Sequence, residues 1–151
     1  MNPEALNALL DKWCKKLRIT WDVKLSLIDD PSCRKTGDIK IDCDAHNAIV
    51  ILNLCGSNKE NVEEVIAHEL FHLKMYPLDQ VTEGLILSCF EEDSPAQRFA
   101  YDQFFVALEQ TVTELTKCFL LEHGEQRELS FGRCEKKKSF DELYQGLKNL
   151  E

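Results

Sequence analysis

The sequence predicts an α+β fold, on three observations. Apolar residues at three-and-four spacing open the chain, three short strand-like stretches follow between residues 20 and 54, and helical signals take over from residue 57. At 151 residues the chain is expected to form one domain, 1–151, large enough to bury a core without metal or disulfide staples.

The opening stretch 3–17, "PEALNALLDKWCKKL", sets Leu6, Leu9, Leu10, Trp13 and Leu17 on one helical face, with Pro3 in the first turn where its missing N–H costs nothing. "TWDVKLSLID" then alternates Trp21, Val23, Leu25 and Leu27 against polar neighbours. "DIKID" alternates again, and "AIVILNL" is a continuous apolar run. Together they predict a small antiparallel or mixed sheet. The linking "DCDAHN" carries turn-forming Asp, Asn and His, so the second and third strands are expected to form a hairpin.

Further on, Ser57 with Glu60 and Asn61 with Glu64 are overlapping capping patterns ahead of a helix that Pro77 is expected to end. A shorter helix is predicted over 79–90. "SP" at 94 and 95 opens a long one reaching about residue 122, and "SFDELYQGLKNL", 139–150, reads as a C-terminal helix. Residues 124–151 form a C-terminal extension to which the sequence assigns no role.

Composition narrows the partners. A net charge of −9 argues against a phosphate-tracking surface, because nucleic-acid affinity depends on basic groups displacing counterions; Lys136 to Lys138, beside Glu135, read as a solvated linker. The seven cysteines, at 14, 33, 43, 55, 89, 118 and 134, are odd in number and form no C-x-x-C pair. They are read as small packing residues in a reducing cytoplasm. No secretion leader is recognisable and no apolar run approaches the roughly 20 residues that span a bilayer, so a cytoplasmic protein without membrane contact is expected.

The chemistry concentrates in "NVEEVIAHELFHLKMYPLD", residues 61–79, where His68, Glu69 and His72 form H-E-x-x-H. A chain of this composition with four His meets that pattern by chance on the order of once in a hundred shufflings. Two His at i and i+4 lie about 40° apart around a helix, one turn above the other, so both imidazoles reach one ion. Zinc in a hydrolytic site takes three protein ligands and a water whose pKa it lowers toward about 7. Glu69, about 100° round from His68, suits the role of base rather than ligand. On the same helix Val62, Ile66, Leu70 and Leu73 gather as a core stripe, and Glu60, Glu63, Glu64 and Lys74 as a solvent face. His68 and His72 belong to neither and face a third direction, a cleft wall. Two histidines merely filling a core would each need a hydrogen-bond partner, which makes that a costly use of them.

A third ligand must come from elsewhere in the chain. The metzincin continuation requires Gly at 75 and His at 78, where this chain has Met75 and Leu78. On the long helix Tyr101, Phe104, Phe105, Leu108, Val112, Leu115 and Phe119 read as the buried stripe. Glu109 projects from its flank, whereas Glu114 turns to the polar side with Gln110 and Lys117. Glu109 is the preferred ligand and Asp102, two turns earlier on that flank, the reserve. Glu83, Glu91 or His123 would each need a different path of the chain.

"AHELFHL" followed by a helix carrying "EQTVTEL" resembles the gluzincin branch of zincin metallopeptidases, especially small bacterial and phage members related to the ImmA/IrrE family, the minigluzincins. The resemblance covers roughly residues 3–122. It implies a zincin-like order: N-terminal helix, strands, active-site helix and glutamate helix. His68 and His72 then fall on the family's zinc ligands, Glu69 on its base and Glu109 on its downstream Glu. That Glu is usually followed three and four positions on by a small residue and Asn or Asp, but here by Val112 and Thr113. In zincins the strand before the active-site helix usually forms the upper rim of the cleft and pairs with extended substrate. That place belongs to Ile49, Val50, Ile51 and Leu52. His46, Tyr76, Tyr101 and His123 are candidates for stabilising an oxyanion.

The function expected is therefore a zinc-dependent metallopeptidase acting on a peptide or protein substrate. The alternative is a non-catalytic zinc-containing module that contacts a regulatory protein partner, and a third reading is a helical interaction domain without metal.

Overall fold

The computed structural model describes residues 2–33, 35–55 and 61–131. They form an α+β architecture of four helices and a three-stranded mixed sheet. The elements are α1 (Pro3–Lys16), β1 (Asp22–Ile28), β2 (Gly37–Asp42), β3 (Asn47–Asn53), α2 (Val62–Cys89), α3 (Pro95–His123) and α4 (Arg127–Ser130). Ser57, Glu60, Cys134, Lys136 to Lys138 and the expected helix at 139–150 lie outside the described residues.

The opening helix follows its pattern. The Asn2 side chain accepts the Glu4 N–H, Pro3 occupies the first turn, and Leu6, Leu10, Trp13 and Leu17 are buried with Leu9 half-buried against them. Arg18, in the left-handed region at φ 53°, follows the helix end as the chain turns toward β1.

The sheet order is β1-β3-β2, with β1 parallel and β2 antiparallel to β3. The expected hairpin is present, Asp42 opposite Asn47, with His46 at φ 51° in its turn. β3 is central, however. Ile49, Val50, Ile51 and Leu52 pair with β1 on one side and β2 on the other, so they cannot also pair with an extended peptide. Alternation along one strand does not reveal its neighbours. The edges are β1 and β2, and β2, the one beside α2, carries Asp38, Lys40 and Asp42, which make it the kind of charged strand that tolerates an open edge.

The core joins α1, β3, α2 and α3: Leu6, Trp13, Val50, Ile66, Leu70, Val112 and Leu120 are almost wholly excluded from solvent. Val62, Ile66, Leu70 and Leu73 form the expected buried stripe of α2. Glu63, expected on the solvent face, is buried instead. One of its carboxylate oxygens accepts Lys12 Nζ at 2.7 Å and Trp13 Nε1 at 3.0 Å, and the other accepts the Glu125 N–H at 2.8 Å. Glu64 pairs with Lys117, while Lys74 is exposed as expected. Residues 124–131 thus help close the N-terminal end of α2. Asn61, its N-cap, also donates to Ser130 Oγ and the Gln126 carbonyl.

Pro77 does not end the helix. α2 runs 28 residues, about 42 Å, with the proline inside it. A proline removes one intrahelical bond, here to the Leu73 carbonyl, but its fixed φ is compatible with a helix, and α3 packs alongside to hold the continuation. α3 runs antiparallel to α2, since Tyr101, Glu109 and Lys117 meet Glu83, His72 and Glu64 in turn. Its buried residues are Leu108, Val112, Thr116 and Leu120, with Phe104, Leu115 and Phe119 half-buried. Tyr101 and Phe105, expected in that stripe, are exposed. The packing role assigned to the cysteines is likewise corrected for Cys43, Cys89 and Cys118, which are exposed; Cys14, Cys33 and Cys55 are half-buried, and all six are free thiols. Among the described residues no helix is long and apolar enough to cross a membrane.

Candidate metal centre

α2 and α3 bring three of the sequence-selected residues together. One ligand atom each from His68, His72 and Glu109 lies within 4.8 Å of the others, the one such group of His, Cys, Asp or Glu among the described residues. The i, i+4 spacing sets the two imidazoles one turn apart, Nε2 to Nε2 at 3.1 Å, with their rings edge to face. Glu109 reaches across from α3 and straddles both, Oε2 at 3.5 Å from His68 Nε2 and Oε1 at 3.4 Å from His72 Nε2.

These separations suit a metal. Ligand atoms placed tetrahedrally at about 2.0–2.2 Å from zinc stand about 3.3–3.6 Å from one another. The donor set, two imidazole nitrogens and a carboxylate, is also one that zinc accepts. Burial pushes both histidines below their ordinary pKa, against the opposing pull of the Glu109 carboxylate. Near neutral pH they are thus uncharged, the state in which a ring nitrogen has a lone pair to offer.

Glu69 stands apart from the three. It is only 8% exposed, has no cation partner among the described residues, and its carboxyl is raised to about 7. Burial is the main cause, the charges of Asp38 and Glu109 add to it, and Lys35 opposes them. A carboxyl poised near neutrality both takes up and gives back a proton.

Gly37, which the sequence reading did not single out, shapes this corner. A Cβ built on it would stand 2.4 Å from Val65 Cγ1 and 2.7 Å from a Glu69 carboxylate oxygen, so only a glycine lets β2 lie this close to α2. A glycine at the first residue of a strand was the available signal, but the contact that gives it meaning joins residues 32 positions apart.

The group opens on a cleft of about 700 Å³. Residues 35–39 and 41 form one wall, α2 from Asn61 to Glu83 the floor, and Tyr101, Phe104, Phe105, Leu108 and Glu109 the other wall. The Thr36 carbonyl accepts the Asn53 N–H, so residues 36, 38, 40 and 42 direct their backbone groups at β3. Gly37, Ile39 and Ile41 therefore direct theirs to the open edge.

The remaining candidates take other places. Glu83 lines the far end of the cleft and accepts Tyr101 Oη at 3.2 Å; Tyr76 lines the cleft too. Asp102, Glu91 and Glu114 are exposed and outside the group. His46 stacks near Trp21 at the β2–β3 turn, and His123 packs near Phe119, so neither borders the cleft. Comparison of the chain with protein-family models, curated proteins and solved structures returned no match.

Proposed function

We propose that the protein is a zinc-dependent metallopeptidase of zincin-like architecture that hydrolyses peptide bonds within the cleft between β2 and α3. The observation that carries the reading is the convergence of His68, His72 and Glu109 beside a buried carboxyl, Glu69, that makes no salt bridge among the described residues. His68, His72 and Glu109 would hold the zinc, which supplies Lewis acidity toward a carbonyl oxygen and a lowered pKa for water.

Glu69 acts as the proton carrier. Its carboxylate takes the proton from the attacking water, and the same carboxyl returns it to the leaving amine nitrogen, a cycle favoured by its buried position. Gly37 keeps the strand clear of that carboxylate. An extended substrate pairs with the open edge of β2 through the backbone of Gly37, Ile39 and Ile41, the place that Ile49 to Leu52 cannot fill. Tyr76 and Tyr101, both on the cleft, are the phenols available to a developing oxyanion. A purely structural zinc site has no use for a buried, unpaired carboxyl at this position, which favours turnover over a non-catalytic module.

Elemental analysis of the purified chain, alone and as the His72→Ala variant, tests the metal half of this reading. About one zinc per wild-type chain and little in the variant is the expected result. A wild-type chain without zinc after purification and zinc dialysis would remove the basis of the proposal.

A further inference from the structure

His72, Tyr76, Asp79 and Glu83 all line the cleft and fall within about 60° of one another around α2. One face of the helix thus carries a histidine of the candidate metal centre and then, about two and three turns on, two carboxyl groups. At 1.5 Å per residue Asp79 stands about 10 Å and Glu83 about 16 Å beyond His72 along the axis. α3 runs the other way, Tyr101 meeting Glu83 and Glu109 meeting His72, which sets Phe105, midway between them, at about the level of Asp79. Phe105 is 51% exposed and lines the cleft. β2 accompanies α2 only as far as Tyr76, since Gly37 lies against Val65 and Glu69, and Cys43, just past the strand, against Tyr76. A peptide paired with the β2 edge therefore leaves the strand beside Tyr76 and continues past Asp79 and Phe105.

The charge at this end is unbalanced. Elsewhere in the cleft Lys35 holds Asp38 at 3.0 Å, Lys117 holds Glu64, and Glu109 faces the two histidines. Asp79 and Glu83 make no salt bridge among the described residues; Glu83 accepts only the neutral donors Tyr101 Oη and Gln80 Nε2, both at 3.2 Å. Of the residues lining the cleft Lys35 alone is Lys or Arg, and it stands at the opposite end, two positions before Gly37. Burial raises the Asp79 carboxyl above its ordinary pKa and the Glu83 charge adds to the rise, a repulsion that a cation between them relieves. Both side chains are half-buried in a concave groove, where charges of one sign act more strongly than on an open surface. Carboxylates beside an aromatic ring suit Lys or Arg, whose charge pairs with the acids while its stem lies along the ring. That the cleft receives a ligand has separate support in Glu69, which lines it at 8% exposure and makes no salt bridge.

We propose that the substrate is a basic peptide segment, one carrying Lys or Arg to one side of the bond cut, its cationic side chain held by Asp79 and Glu83 against the Phe105 ring. At about 3.3 Å per residue of extended chain, the distances from His72 put that residue about three to five positions from the cut. The proposal rests on the peptidase reading of the same cleft and adds its substrate class.

Two measurements on the full zinc-loaded chain test it. In the first, cleavage sites in a proteome-derived peptide library are expected to be enriched in Lys and Arg about three to five positions to one side of the cut. Asp79→Asn with Glu83→Gln is expected to abolish the enrichment while the helical circular dichroism is unchanged, and Asp79→Lys with Glu83→Lys to replace it with Asp and Glu. In the second, fluorescence anisotropy on Glu69→Gln at equal zinc content compares a labelled Ala-Gly peptide bearing a Lys-Lys pair with its Glu-Glu counterpart. The Lys peptide is expected to bind at least about tenfold tighter, by a margin that shrinks with added salt and vanishes when Asp79→Asn and Glu83→Gln are added. Cleavage without the Lys and Arg enrichment, or an enrichment that survives the neutral double variant, would overturn this proposal and leave the peptidase reading standing. No cleavage, with the charge-dependent binding intact, would overturn the peptidase reading and keep the basic ligand; neither cleavage nor such binding would overturn both.

Discussion

Replacing Glu69 with Gln is expected to stabilise the metal-free protein, and to do so only above a definite pH. The carboxyl is raised from 4.5 to about 7, chiefly by burial and then by Asp38 and Glu109. Between those two values the folded chain holds a proton that the unfolded chain releases, so stability falls as pH rises from about 4.5 through about 7. A shift of about 2.5 units at about 1.4 kcal/mol per unit amounts to roughly 3 kcal/mol of cost once the group is ionised in the fold. Gln occupies the same space without a charge, and the other titrating groups cancel when variant and wild type are compared. Thermal unfolding in chelator should therefore give nearly equal midpoints at pH 4.5 and a variant about 6–10 °C more stable at pH 8. A difference that does not change with pH, or a variant less stable at pH 8, would show that Glu69 is neither buried nor isolated as described.

Three other changes have distinct outcomes. Glu109→Ala should weaken zinc affinity at least a hundredfold in a competition titration, whereas Glu114→Ala, exposed and outside the group, should leave it alone; equal effects would mean α3 presents a different face. Gly37→Ala should cut turnover while keeping zinc, because its Cβ meets Val65 and Glu69 but no ligand, and adding Val65→Ala should relieve the first clash and restore only part of the rate. A Gly37→Ala chain of full activity would dismiss the close approach. Glu63→Ala should cost about 2–3 kcal/mol in denaturant unfolding, since it leaves Trp13 Nε1 and the Glu125 N–H without their acceptor and Lys12 without a buried partner; a change below about 0.5 kcal/mol would contradict that network.

Local patterns were legible in the sequence, and contacts between distant segments were not. The phase of His68, Glu69 and His72 depends on one helix, and the placing of Glu109 on the flank of α3 needed only a second helical phase, so these positions could be read directly. Strand existence was also local, but whether β3 is an edge or a centre depends on β1, which returns to pair with it from more than 20 residues away. Glu63 has the spacing of a solvent-facing residue and becomes buried only because Lys12, Trp13 and Glu125 converge on it. Tyr101 and Phe105 have the spacing of core residues, yet they line an open cleft instead. Pro77 misled because interior proline costs one lost bond and a local clash with the carbonyl four residues back, which a long helix absorbs.

The most direct test of the central claim is cleavage of a proteome-derived peptide library by the zinc-loaded chain, run beside Glu69→Gln at equal zinc content. Wild type is expected to produce new peptide termini at a defined set of sites, and the variant, which retains every metal ligand but cannot carry a proton, is expected to produce none. Equal cleavage by both, or no cleavage by a wild type shown to hold one zinc, would contradict the assignment of Glu69 as the base of a metallopeptidase.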